Sequence, residues 1–157
     1  MKQTPDQVAE RAAELFQQGF CCAESVLQAI AESLDIRSEI IPRIATGLCG
    51  GVARTGDICG AVSGGVLAIS LATGRNHPTE PREDNQRLAR MFLDECEQQF
   101  GSTHCEKLMG CRLDTPEGMK FFKENKLREK CAFLTREAAR IATRLVKEHE
   151  CAKTGTQ

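Results

Sequence analysis

Helical periodicity runs from one end of this chain to the other and limits the fold more than any other feature. Apolar residues recur at three- and four-residue steps, and no stretch alternates as a half-buried strand would. Thr4 is placed to cap a first helix with Pro5 at its first position; Val8, Ala12, Leu15 and Phe16 line one face and Gly19 ends it. A second helix is predicted from about Cys22 to Leu34, with Val26, Leu27 and Ile30 inward, and Ser38 opens a short one through Ile41 and Ile44 that stops near Gly47. A fourth runs from about Asp57 to Thr73, and after the loop GRNHPTEP a long one runs from about Pro81 to Phe100. A short helix covers Cys105 to Met109, and Asp114-Thr115-Pro116-Glu117 starts another. The last runs from about Leu127 to Glu148 at heptad-like spacing, and the tail CAKTGTQ is expected to fray. With no repeat and no linker, residues 1–157 read as one all-α domain, a single bundle of about six to eight helices.

The fourth helix is unusual in composition. Val62, Val66 and Ile69 share one face, while Ala61, Gly65, Ala68 and Ala72 form a stripe of small residues that lets a neighbour approach closely. Each interior glycine costs roughly 1 kcal/mol relative to alanine, so Gly60, Gly64 and Gly65 imply packing that offsets that cost.

Charge excludes several function classes. The 21 basic and 22 acidic residues are mixed along the chain, there is no Trp or Tyr, and no basic stripe offers itself to phosphates, so nucleic acid is not an expected partner. The charged N-terminus has no apolar signal segment, and the least charged run, Ile58 to Gly74, is too short and too rich in Gly and Ser to span a bilayer. The expected setting is a soluble, cytoplasmic one.

Nine cysteines stand out in such a chain. In a reducing compartment they do not persist as a disulfide framework, and their density points to metal or redox chemistry. Three sit where helices are predicted to begin. With Asp57 as N-cap, Cys59 is the second helical residue; Cys22 lies in a first turn that Glu24 can cap; and Thr103-His104-Cys105-Glu106 has capping-box spacing. Unpaired amides and the helix dipole favour a thiolate or an anionic metal–sulfur group at such ends. Cys131 reads equally as a core residue of the last helix or as a residue at its start. No CxxC occurs, and the spacings Cys49-x9-Cys59 and Cys105-x5-Cys111 match no common ferredoxin or zinc ribbon, so a site must be assembled by tertiary folding.

These segments resemble the C-GCAxxG-C-C family, a group associated with redox activity, over nearly the whole chain. The family pattern falls on Cys22, Cys59-Gly60-Ala61-Val62-Ser63-Gly64, Cys105 and Cys131, in the contexts GFCCAESVL, GLCGGVARTGDICGAVSGG and FGSTHCEKLMGCRLDTPEG. The resemblance implies a cysteine-based redox or metal centre on those four residues, with Cys49 and Cys111 as second-line ligands. Two positions depart from it: Cys21 stands where Asn is common, and Ala132 where proline is common.

The expected function is that of a small redox-active protein whose cysteines Cys22, Cys59, Cys105 and Cys131 bind an iron–sulfur centre for electron transfer or redox sensing, with a redox partner protein. One alternative is a thiol–disulfide or peroxide-reducing enzyme in which a low-pKa Cys59 or Cys105 attacks and a second cysteine resolves. Another is a structural zinc site closed by four thiolates. The small-residue stripe leaves a homo-oligomer open. Cys96 reads as core, Cys151 as incidental and Cys21 as a spare thiol; His77, His104, His149 and Arg54 read as structural or solvated, and no catalytic carboxylate pair is evident.

Overall fold

A computed structural model describes residues 1 and 3–155. The chain forms α1 (Pro5–Gln17), α2 (Cys22–Ser33), a 3₁₀ helix (Arg43–Leu48), α3 (Gly60–Thr73), α4 (Glu83–Phe100), α5 (Cys105–Met109), α6 (Pro116–Glu124) and α7 (Arg128–Thr154). Among the described residues there is no strand, only an isolated antiparallel bridge between Ile58 and His104, and the molecule is an all-α bundle.

Local chemistry sets several boundaries. Thr4 and Gln7 close a capping box at the start of α1, with Pro5 at its first position. Thr115 accepts the Gly118 amide at 3.0 Å ahead of Pro116 in α6. Gly101 ends α4 in the left-handed conformation. The short helix expected from Ser38 forms later, as a 3₁₀ turn after Pro42, whose ring disfavours helical geometry in the residue before it. The last helix continues to Thr154 rather than stopping near Glu148. Thr156 and Gln157 lie outside the described residues.

The hydrophobic α3 is the central element, packed against α2, α4 and α7. Both of its faces are used: Val62, Ile69, Ala61 and Ala68 are all fully buried. Phe92 of α4 seats over Gly65 and is itself fully buried. α1 packs against α2 and α7 through Val8, Ala12 and Leu15, and the α1–α7 rim carries the ion pairs Arg136–Glu10 (3.0 Å) and Arg140–Asp6 (2.7 Å). Such half-exposed pairs contribute little stability; apolar burial holds the bundle together. Among the described residues no helix is long and apolar enough to cross a membrane.

Candidate functional site

Five cysteines line one cavity: Cys21 and four others separated by up to 109 positions. Cys22, Cys59, Cys105 and Cys131 face a space of about 190 Å³ whose other walls include Phe16, Phe20, Met109, Leu113, Phe122 and Leu134. That is several times the roughly 30 Å³ share of one water. Cys59 and Cys105 are 5% exposed, while Cys22 and Cys131 are half-buried at the margin.

The segment Cys59–Gly64 accounts for half of this arrangement. Cys59 is the N-cap of α3, two residues later than an Asp57 cap would place it. Gly60 follows because a Cβ there would run into Cys22 Sγ. At Gly64 a Cβ would stand 2.7 Å from the Ala23 carbonyl oxygen and 3.0 Å from its Cα, so this glycine lets α3 lie directly on the backbone of α2. The two glycines therefore bring the first turns of α2 and α3 together, with one cysteine at each.

Cys105 arrives by another route. Cys59 donates its N–H to Thr103 O and Cys105 donates to Asp57 O, both at 2.8 Å, and Glu106 donates to Gly56 O at 3.0 Å. These bonds fix Cys105 beside Cys59 and engage the Glu106 N–H that a Thr103–Glu106 capping box would have employed; His104 is the N-cap and α5 is a single turn. His104 itself is half-exposed, 3.8 Å from Asp57. Cys131 is the fourth residue of α7, its N–H donated to Leu127 O, with its Sγ 3.6 Å from Met109 Sδ. Lys130 Nζ donates to Leu108 O at 2.6 Å and ties the start of α7 to α5.

Burial governs the electrostatics. It pushes the Cys59 thiol up from 9.0 to about 12, aided by charge on Cys22 and Cys105 and opposed by the Ala61 and Val62 amides. Burial likewise raises Cys105 to about 11, with charge on Cys22 and Cys111 adding to it. Cys131 is raised first by burial and then by charge on Cys22, Cys59 and Cys105, against Arg128. Cys22 is raised by burial, while the amides of Gly50, Ala23, Cys22 and Ala61 all act to lower it. The thiols are thus neutral at pH 7, repel one another's ionisation, and meet N–H groups from two helix starts. Arg128 lines the same cavity, its Nη2 donating to Phe16 O at 3.0 Å and its guanidinium 4.5 Å over the Phe16 ring. This chemistry suits a cationic centre that takes up thiolates and releases their protons.

The remaining cysteines are distributed differently. Cys49 is bonded to Cys21 in a disulfide and does not line the cavity, so neither is a free thiol here. Cys111 is half-buried outside the cavity lining, Cys96 is fully buried in the core, and Cys151 is exposed on α7. Arg54 points to Met119 Sδ at 2.7 Å. His149 is buried, 3.6 Å from Asp84.

Sequence reasoning missed the segment that supplies the Gly50 amide. Gly50, Gly51, Val52, Ala53 and Arg54 all have positive φ, from +51° to +74°. A left-handed run with three non-glycine residues is strained by roughly 1–2 kcal/mol per residue. It is held by the Val52, Ala53 and Arg54 amides, which donate to Leu48, Gly47 and Cys49 carbonyls. The adjacent Gly50-Gly51 was its only sequence signal.

Comparison with known proteins gives a consistent picture. The family model described as "Putative redox-active protein (C_GCAxxG_C_C)" matches residues 20–145. The chain is also similar to an uncharacterized protein of Archaeoglobus fulgidus, 38% identical over 69 residues, which is 43% of this chain and 46% of that protein. The chain thus spans about half the length of that curated relative. No solved structure matches.

Proposed function

We propose that this chain, which belongs to the C_GCAxxG_C_C family, holds an iron–sulfur centre on Cys22, Cys59, Cys105 and Cys131 and serves electron transfer or redox sensing. The observation that carries this reading is the convergence of the four family-pattern cysteines on one apolar cavity with amide donors at its edge. When bound, such a centre supplies reversible electron transfer, and N–H groups facing its sulfurs tune the potential. The amides of Gly50, Ala23 and Ala61 face Cys22, and those of Ala61 and Val62 face Cys59. The phenylalanines exclude water, and Arg128 offsets part of the negative charge of four thiolates.

A tetrahedral zinc needs thiolates roughly 3.8 Å apart; among the described residues the donor group found within 4.8 Å of one another is Cys21, Glu24 and Cys49, not the four family-pattern cysteines. A low-pKa attacking thiol at Cys59 or Cys105 is disfavoured by burial of both. The Cys21–Cys49 disulfide is the specific observation in favour of a second reading, thiol–disulfide exchange at that pair. A cytoplasmic setting and a redox partner protein belong to the first reading.

Anaerobic purification and reconstitution, with visible absorption and iron and sulfide analysis, tests it. Brown protein with stoichiometric iron and sulfide that bleaches on reduction is the expected result. Colourless protein that resists reconstitution overturns it.

A further inference from the structure

The Cys21–Cys49 disulfide stands apart from the four family-pattern cysteines, yet Cys21 shares their cavity wall. Glu24 lies beside it: Cys21 Sγ, Cys49 Sγ and a Glu24 carboxylate oxygen are within 4.8 Å of one another. We infer that this disulfide is the oxidised form of a second metal site, in which reduced Cys21 and Cys49 together with Glu24 bind a thiophilic divalent cation of the zinc type.

Two rigid elements present the donors. Cys21 caps α2 and Glu24 lies in its first turn, while Cys49 caps the 3₁₀ helix, and the cysteine Cα atoms are 6.0 Å apart. Zinc–sulfur bonds of about 2.3 Å and zinc–oxygen bonds of about 2.0–2.2 Å require donors roughly 3.5–3.8 Å apart, within reach of this set. The carboxylate is already oriented. One oxygen accepts the Cys21 N–H at 2.9 Å and the other accepts the Thr46 hydroxyl at 2.6 Å, and ligating carboxylates are commonly fixed by such outer partners. All three residues are half-buried. Two thiolates select a soft or borderline cation over magnesium or calcium.

The chemistry balances with a dithiol reductant. The S–S bond breaks as two electrons and two protons pass from the reductant, which becomes its own disulfide, to give two free thiols. Binding the cation then displaces both thiol protons to solvent. Redox state therefore sets occupancy at the wall of the cavity. The inference does not depend on the iron–sulfur reading, because it uses none of the four cysteines proposed to hold that centre.

The test is anaerobic titration of the metal-free full chain with Co²⁺ as probe and Zn²⁺ as competitor, before and after reduction of the disulfide and removal of reductant. Reduced protein is expected to bind one more equivalent than oxidised protein, with sulfur-to-cobalt charge-transfer absorption. Cys49→Ser should lose that equivalent, whatever the cavity binds. Glu24→Gln, which keeps a hydrogen-bonding side chain at the α2 start, should weaken it by roughly 10- to 100-fold or more and decides the matter if Cys49→Ser does not fold. Equal stoichiometry in the two redox states, survival of the extra equivalent in Cys49→Ser, or unchanged affinity in Glu24→Gln would each overturn the inference.

Discussion

Replacing Gly64 by alanine tests the reasoning about how α3 meets α2. In isolation the change favours folding, because alanine in a helix interior is worth up to about 1 kcal/mol over glycine. The new methyl, however, would stand 2.7 Å from Ala23 O and 3.0 Å from Ala23 Cα. These are backbone atoms of a neighbouring helix, so relief requires α2 and α3 to separate, and overpacking of this kind costs about 1–3 kcal/mol or more. Because the clash is with backbone, the steric cost sits at the upper end of that range, about 2–3 kcal/mol, leaving a net loss of about 1–2 kcal/mol and a Tm lower by roughly 2–8 °C for a chain of this size. The same shift moves Cys22 away from Cys59, so metal content should fall with stability. Urea unfolding of the metal-free protein gives the comparison, with Gly47→Ala as the control: a Cβ at Gly47 meets nothing within 4 Å, and that variant should match or exceed wild type. Gly64→Ala as stable as wild type would refute the close-approach argument.

Other predictions follow from the buried thiols and the strained turn. Cys59 and Cys105 hold their protons to about 12 and 11 when folded against 9.0 as their ordinary value; the unfolded chain releases them first. Metal-free stability should therefore be fully present below pH 9 and decline above it by on the order of 1 kcal/mol per pH unit for each thiol, read from urea midpoints at pH 8 and pH 10. Metal uptake should release protons, measurable in weakly buffered solution, because the cavity thiols start neutral. Cys96→Ala should lower stability by about 1 kcal/mol without changing metal content, since Cys96 is fully buried but lies outside the cavity lining. Val52→Asn should raise stability by about 1 kcal/mol, because Val52 has φ +53° and asparagine tolerates that conformation better.

What the sequence made legible was local. The Thr4 and Thr115 starts, with proline at each first helical position, were readable because cap chemistry is complete within four residues. The helical class was readable because the apolar period repeats in every segment. The start of α3 was not, because Asp57 and Ile58 are drawn into extended pairing with Thr103 and His104, residues more than forty positions away. The same long-range bonds remove the Thr103–Glu106 box. Membership of the cavity by Cys22, Cys59 and Cys105 could be suspected from predicted helix starts, but α5 is one turn long and its dipole is small; pairing with the Asp57 segment, not capping, places Cys105. Cys131 was ambiguous until α7 began at Arg128, which puts it in the first turn at the cavity margin. Nothing local paired Cys21 with Cys49, since 28 residues and the fold of the 3₁₀ segment separate them.

The most direct test of the central claim is iron and sulfide content, after identical anaerobic reconstitution, of single Cys→Ser variants at the four proposed ligands and at Cys96, Cys111 and Cys151. The account predicts that Cys22, Cys59, Cys105 and Cys131 variants lose the centre or hold it with an altered visible and EPR spectrum, while Cys96, Cys111 and Cys151 variants retain wild-type iron. Full iron retention with an unchanged spectrum in any of the first four, or loss of iron in well-folded Cys111→Ser or Cys151→Ser, would contradict it.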